Sequence, residues 1–460
     1  MIITARRPAA ATPASARLTL FAASFGFLMV SLDATIVNVA LPTLGRDLGA
    51  GLSGLQWVVD GYVLMFAAFQ LIGGSLGDRL GARRAFTAGL GLFMAASLAC
   101  GLAVSPGMLI GARLVQGVGA AVQLPASLAM VRHAYADAAA RTRAVGVWAA
   151  AGGAAVAAGP VVGGLLLAWL GWRSLFLVNL LIGAVGLAAA ARADPAPGVR
   201  RRFDLPGQAA VLAALCGLTF ALIEGGPLGW TSAPVLAAFA VASAAGTVFS
   251  RWERRAAEPM LPPRLFADPA VSAAAAAGFA QNFAYYGIVF LLSLFLQNER
   301  GDSALVTGLA FLPMSLAAMA ANLGGGRLTA SHGPRAPLVG GQLLFAAGLL
   351  ALLAVGPGAP LWAVCPVTVL VGLGGGAAVP AMTSAVLDAA PPAHAGVAAA
   401  GLNTARQVGG AVGVALFGAL VAGGFLPGLR LSLLVAAAAL LAGASVTARW
   451  VRRPGRRAGT

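Results

Sequence analysis

Asp33, Asp60 and Arg113 each stand within a stretch that is otherwise almost wholly apolar. An ionised side chain in such surroundings is costly unless a partner or water compensates it. Two carboxylates facing one guanidinium leave one negative charge over, and burial makes that carboxylate ready to accept a proton. Brought together, these three residues could load and release protons. At a rise of 1.5 Å per helical residue, Asp33 lies roughly 12 Å below the outer end of its apolar run, Asp60 roughly 8 Å and Arg113 about 9 Å. All three therefore fall at similar depth. The competing reading is a charge cluster that only locks helices together. For Asp33 proton coupling is the stronger reading, because a charge kept so deep needs a reason. Asp60 lies nearer the end of its run and leaves both readings open. Arg113, beside two carboxylates, would tune their protonation.

A second set of polar residues suits binding. No Asp or Glu occurs between Asp302 and Asp388. The apolar runs of that region carry Gln281, Asn282, Tyr285, Tyr286, Asn322 and Gln342 amid Phe279, Phe283 and Phe311, and Asn38 stands in the first run. An apolar cavity with a few polar groups fits an amphipathic organic ligand, although some of these groups are expected to be interhelical hydrogen bonds instead. Glu224, at an outer run end, should reach the interface, and Arg406 could pair with Asp388. Catalysis finds no constellation. His133, His332 and His394 are widely separated, and Cys100, Cys216 and Cys365 have no metal-ligand spacing. No phosphate-binding loop occurs, so no catalytic residue, metal or cofactor is expected, and energy would come from a proton gradient rather than ATP.

Helices must position these groups. The chain is 59% hydrophobic and 10% charged, which excludes a soluble globular protein. Fourteen apolar runs are long enough to cross a hydrocarbon core. They lie at 18–41, 55–76, 85–104, 107–131, 143–168, 172–191, 205–224, 232–250, 269–297, 304–324, 336–356, 361–385, 403–424 and 429–448. All thirty basic residues are Arg. Twenty-four lie in the tails and in loops of one side, four on the other (Arg46, Arg173, Arg300 and Arg430) and two within runs (Arg113 and Arg406). The positive-inside rule then places both termini in the cytosol, in a cell inner membrane. The same asymmetry makes nucleic acid an unneeded explanation of the +16 net charge; membrane lipid is the expected surroundings, and a monomer the expected state.

The chain also repeats itself. Gly74, Leu76, Gly81 and Arg83 match Gly326, Leu328, Gly333 and Arg335 at an offset of 252, and Gly117 through Pro125 match Gly372 through Pro380 at 255. Six runs with their loops occupy about 175 residues, so the longer offset requires two inserted helices. The expected organisation is a tail (1–17), a six-helix bundle (18–192), a linker with two inserted transmembrane helices (193–268), a second six-helix bundle (269–448) and a basic tail (449–460). Arg192–Asp204, with Pro195 and Pro197, leaves the first bundle, and Arg251–Asp268 enters the second. Gly152, Gly159 and Gly163 fall on one face of the fifth run beside Pro160, and Gly409 and Gly413 repeat the spacing in the thirteenth. Such faces admit a close helix. They are candidates for the interface between bundles, with packing inside a bundle as the alternative.

Five motifs in order resemble the major facilitator superfamily, and within it the fourteen-span drug:proton antiporters. Leu32 through Pro42 is similar to that group's first-helix pattern, and Asp78-Arg79-Leu80-Gly81 with Arg83 and Arg84 to the superfamily's loop between spans 2 and 3. Arg113 with Gln116, Gly117 and Gly119 resembles the fourth-helix motif, and Gly153 through Gly164 the antiporter motif of the fifth. Asn403, Arg406, Gln407, Gly409 and Gly410 resemble a late-helix motif. Ala82 departs from the pattern, where Arg or Lys is common. The resemblance implies a major facilitator fold, all-α and integral to the membrane. It also implies proton-coupled export of an amphipathic drug, antibiotic or natural product. It makes Asp78, Arg79, Gly81 and Arg83 a cytosolic latch rather than a solvated turn. An importer or a dedicated metabolite exporter on the same fold is the nearest rival, and a non-transporting membrane sensor a more distant one.

Overall fold

A computed structural model describes residues 13–194, 204–256, 259–391 and 394–451. Arg6, Arg7, Pro195, Pro197, Arg200, Arg201, Arg202, Arg452, Arg453, Arg456 and Arg457 lie outside these residues. Every described element is helical, as hydrocarbon demands, because a helix satisfies its own backbone N–H and C=O groups. The first six are α1 (Pro13–Leu48), α2 (Leu52–Leu80), α3 (Ala82–Gly101), α4 (Pro106–Ala134), α5 (Ala138–Leu170) and α6 (Ser174–Ala191). Then come α7 (Leu205–Leu228), α8 (Ala233–Glu253) and the short α9 (Pro263–Phe266). The last six are α10 (Pro269–Leu294), α11 (Ala304–His332), α12 (Arg335–Leu352), α13 (Leu361–Ala389), α14 (Ala395–Val421) and α15 (Phe425–Trp450). All but α9, fourteen among the described residues, are long and apolar enough to span a membrane. The chain is a multi-pass membrane protein.

Helix starts follow capping chemistry: Ser105 and Asp137 accept the Met108 and Ala140 amides at 3.3 and 2.7 Å. The helix α14 begins eight residues before the apolar run expected at 403–424. Ala-rich sequence from Ala395 to Leu402 carries it, since alanine favours helix despite its modest hydropathy.

The internal repeat is reproduced in packing. A Cβ on Gly117 would strike the Tyr62 carbonyl of α2, and one on Gly372 the Met314 carbonyl of α11. Gly119 meets the Phe93 backbone of α3 as Gly374 meets that of Phe345 on α12. Gly73 lies on Ala121 as Gly325 lies on Ala377. Gly81 and Gly333, which end α2 and α11, share positive φ of 86° and 75°, a conformation glycine adopts without strain.

The two bundles meet at the end remote from the termini. There the Ser293 hydroxyl of α10 donates to the Asn38 carbonyl of α1 (2.6 Å), and Gln297 Nε2 to the Val39 carbonyl (2.9 Å). Gln56 of α2 donates from Nε2 to the Val414 and Ala415 carbonyls of α14, at 3.1 and 2.8 Å. On the other flank Gly164 of α5 lies against Ala304 and Leu305 of α11, and Gly308 of α11 against the Pro160 carbonyl. One apolar core, from Ile36 and Leu41 to Phe283, Phe290 and Phe417, spans both bundles at this end. Toward the terminal side lie a core around Phe86 and Met130, which takes in Ala411 of α14, and another around Leu265 and Met382. The hydrogen bonds between the bundles thus lie at the end remote from the termini.

Two expectations need correction here. The helices α5 and α14 do lie at the bundle interface, but their predicted glycines turn inward. Gly152, Gly159 and Gly163 receive Phe27, Thr35 and Ile36 of α1, while Gly409 and Gly413 lie on the backbone of Phe279 and Phe283 in α10. Small-residue spacing shows that a helix comes close without showing which one. Glu224 does not reach free for the interface either. Its Oε1 accepts from Ser53 Oγ (3.0 Å) and Trp57 Nε1 (2.8 Å), tying α7 to α2. With Gln208 donating to the Ala68 carbonyl (3.0 Å), and Gly226 lying near Ala422, the inserted helix rests along α2 and α14.

Candidate functional site

Four helices of the first bundle converge on Asp33. Arg113 of α4 approaches with Nη1 2.5 Å from Asp33 Oδ2. Its Nε donates to the Val58 carbonyl (3.0 Å) and its Nη1 to Gln116 Oε1 (2.6 Å), and the guanidinium lies 4.3 Å from the Tyr62 ring centroid. Asp33 Oδ1 accepts from Gln116 Nε2 (2.9 Å) and from Asn179 Nδ2 of α6 (2.8 Å). Both amides also donate to Ser97 Oγ of α3, at 2.7 and 3.1 Å. Asp33 and Arg113 are 0% and 2% exposed. The pair is closed off and fully matched.

Asp60 stands apart from it. Its carboxyl is fully buried, yet neither oxygen has a hydrogen-bond partner among the described residues. The expected sharing of Arg113 by two carboxylates is absent, for a geometric reason. The Val58 carbonyl and the Tyr62 ring, both on α2, face Arg113. Asp60 is two residues from each, about 200° around the helix. It shares a face instead with Gln56, one turn away, which crosses to α14. Similar depth fixes the height of a side chain and leaves its direction open.

The binding candidates divide. Gln342 is wholly buried and its Oε1 accepts from Thr447 Oγ1 (3.3 Å), so it joins α12 to α15. Gln281 donates to the Gly375 carbonyl of α13 (2.6 Å), and Asn38 bonds within its own helix, to the Ala34 and Thr35 carbonyls. These three do helix packing. Asn282 accepts from Arg406 Nε (3.4 Å), Tyr285 and Tyr286 are half-buried with ring centroids 5.5 Å apart at 90°, and Asn322 is exposed on α11. Of the latch residues, Gly81 makes the α2–α3 turn, Asp78 and Arg79 are exposed, and Arg83 Nη1 donates to the Ala193 carbonyl (2.5 Å). Arg83 thus fastens the turn to the end of α6, inside its own bundle.

Ser97 and Asn179 escaped the sequence reading, and Gln116 entered it only as part of a motif. The available signal was an amide three residues from Arg113, hence on the same helix face, and an Asn alone in the apolar run of α6.

A family model described as Major Facilitator Superfamily matches residues 23–414 and 274–460. The chain is 39% identical, over 97% of its length and 94% of the relative's, to a methylenomycin A resistance protein of Streptomyces coelicolor. It is 34% identical, over 88% of its length and 76% of the relative's, to a tetracenomycin C resistance and export protein of Streptomyces glaucescens. In fold it resembles a bacterial homologue of the human lysosomal transporter Spinster, solved inward-facing and unoccupied. The TM-score is 0.68 at 16% identity, over 96% of this chain and 98% of that one. Two repeated six-helix bundles, a matching family model and relatives matched over most of their length agree: the chain belongs to the Major Facilitator Superfamily.

Proposed function

We propose that this protein is a proton-coupled antiporter of the cytoplasmic membrane, exporting an amphipathic drug, antibiotic or natural product by alternating access. Its termini lie in the cytosol by the Arg asymmetry, so the end at which the bundles are hydrogen-bonded to each other faces outward. The units that rock against each other are the bundles at 18–192 and 269–448, with the 193–268 insertion carried along α2 and α14. The two resistance relatives support the export of small organic compounds.

The carrying observation is the contrast between two buried carboxylates. Asp33 has a guanidinium and two amides bonded to its carboxylate. Asp60 has no hydrogen-bond partner among the described residues, so a proton removes an uncompensated charge from an apolar interior. In this conformation Asp60 is the proton-binding carboxyl, and Asp33 with Arg113 is the fixed frame beside it. This reverses the order suggested by depth alone. Because Asp60 lies on the face of α2 that meets the other bundle, its charge state can bias the bundle interface, as coupling requires. Asp78, Arg79, Gly81 and Arg83 lie on the opposite, cytosolic side, as its latch.

The test uses proteoliposomes with an imposed pH gradient and a compound against which the chain protects a sensitive host. Asp60→Asn should lose substrate-induced proton movement and uphill export while keeping downhill exchange. Undiminished proton movement in that variant would overturn the assignment.

A further inference from the structure

Arg406 is a cation within the membrane that has no anionic partner among the described residues. It stands 11 residues into α14, roughly 16 Å from the helix start. Its stem lies against Gly278 of α10. Its polar contacts are two long ones, Nε to Asn282 Oδ1 and Nη1 to Asn403 Oδ1, both at 3.4 Å. No carboxylate among the described residues pairs with it. The pairing with Asp388 that the sequence suggested is not formed, because Asp388 is exposed at the end of α13 and accepts from Ser384 instead (3.1 Å). Arg113 makes the contrast plain: the same side chain, in the other bundle, has a carboxylate, an amide oxygen and a carbonyl at 2.5 to 3.0 Å.

Position adds to this. Arg406 is half-buried, and Asn403 is exposed one turn nearer the terminal side, where the apolar cores of the two bundles are mostly separate. Tyr285 and Tyr286 of α10 are half-buried near it, with Tyr286 packed on Gly410, one turn along α14 from Arg406. No acidic residue lies between Asp302 and Asp388. A cationic compound entering there would meet Arg406 with nothing to offset it. A neutral one would leave the guanidinium uncompensated.

We propose that Arg406 anchors an oxyanion of the transported compound, so that the substrate class is an amphipathic organic acid. Its carboxylate displaces the long amide contacts and takes the guanidinium in a two-pronged hydrogen bond, the geometry for which Arg is suited. Its apolar body lies against Tyr285 and Tyr286. This rests on the exporter reading. An anionic lipid headgroup would offer the same chemistry, and the test separates the two.

A sensitive host expressing the chain is challenged with toxic compounds in three groups: organic acids, neutral compounds and cations. Protection should fall on the acids. Arg406→Gln, which keeps the stem against Gly278, should lose about tenfold or more of that protection, the scale of a hydrogen bond to a charged group. Arg406→Lys should keep part of it, and thermal unfolding of both variants should match the parent. For a protected acid, uptake into vesicles should fail for its uncharged amide. It should also be equal in vesicles with and without phosphatidylglycerol. Protection only against cations or neutral compounds would overturn the inference and leave the exporter reading standing. Protection against nothing would overturn both. An Arg406→Gln effect seen only with phosphatidylglycerol present would assign the site to lipid and overturn the inference as well.

Discussion

Asp33→Asn should lower the unfolding free energy by about 3 kcal/mol, at the lower end of the ~3–5 kcal/mol seen when one partner of a buried ion pair is removed. The lower end applies because Arg113 keeps the Val58 carbonyl, Gln116 Oε1 and the face of Tyr62. Arg113→Gln should cost about as much, since the Asp33 carboxylate is left with two neutral amide donors. Additive effects would give about 6 kcal/mol for the double variant. With neither charge left, the loss should instead be about 3–4 kcal/mol, a coupling of roughly 2–3 kcal/mol. Equilibrium unfolding in mixed micelles of dodecyl sulfate and maltoside, read by circular dichroism, measures all four corners of the cycle. Single-variant losses that add to within about 0.5 kcal/mol would refute the pairing.

Two further outcomes follow from the packing. Gly308→Ala should push α11 off the Pro160 carbonyl and weaken the joined end by about 1–3 kcal/mol; spin labels at the remote ends of α5 and α11 should report a longer separation, and an unchanged distance would contradict the contact. Glu224→Gln should cost about 1–2 kcal/mol by replacing a charged acceptor of the Ser53 and Trp57 hydrogen bonds. Its effect should largely vanish when Ser53→Ala and Trp57→Phe are already present; a full effect in that background would mean Glu224 acts elsewhere.

Hydrophobic run length shows the spans, because crossing hydrocarbon imposes a minimum on it. The repeat offset shows the inserted pair, because chain length must go somewhere. What these signals leave open is rotation about each helix axis. Asp60 and Arg113 lie at like depth, yet α2 aims Val58 and Tyr62 at Arg113 and Asp60 the other way. Gly159 and Gly409 announce close neighbours, and only the assembled bundle shows those to be α1 and α10. Gln342 and Arg406 look alike as polar groups in apolar runs. One has its Oε1 matched by Thr447, and the other has no counter-charge among the described residues. Pairing across 105 residues of chain depends on which helices become neighbours, which local pattern does not encode.

The glycine contacts that recur between the halves are contacts of backbone with backbone, indifferent to charge. Where Arg113 stands in the first half, the second has Thr368, whose hydroxyl merely bonds the Cys365 carbonyl of its own helix (2.9 Å). Duplication therefore supplied a scaffold twice and chemistry once. In a complete substitution map of the chain, intolerance of side-chain volume should echo at an interval of about 252–255 residues. Intolerance of lost charge at Asp33 and Arg113 should have no echo.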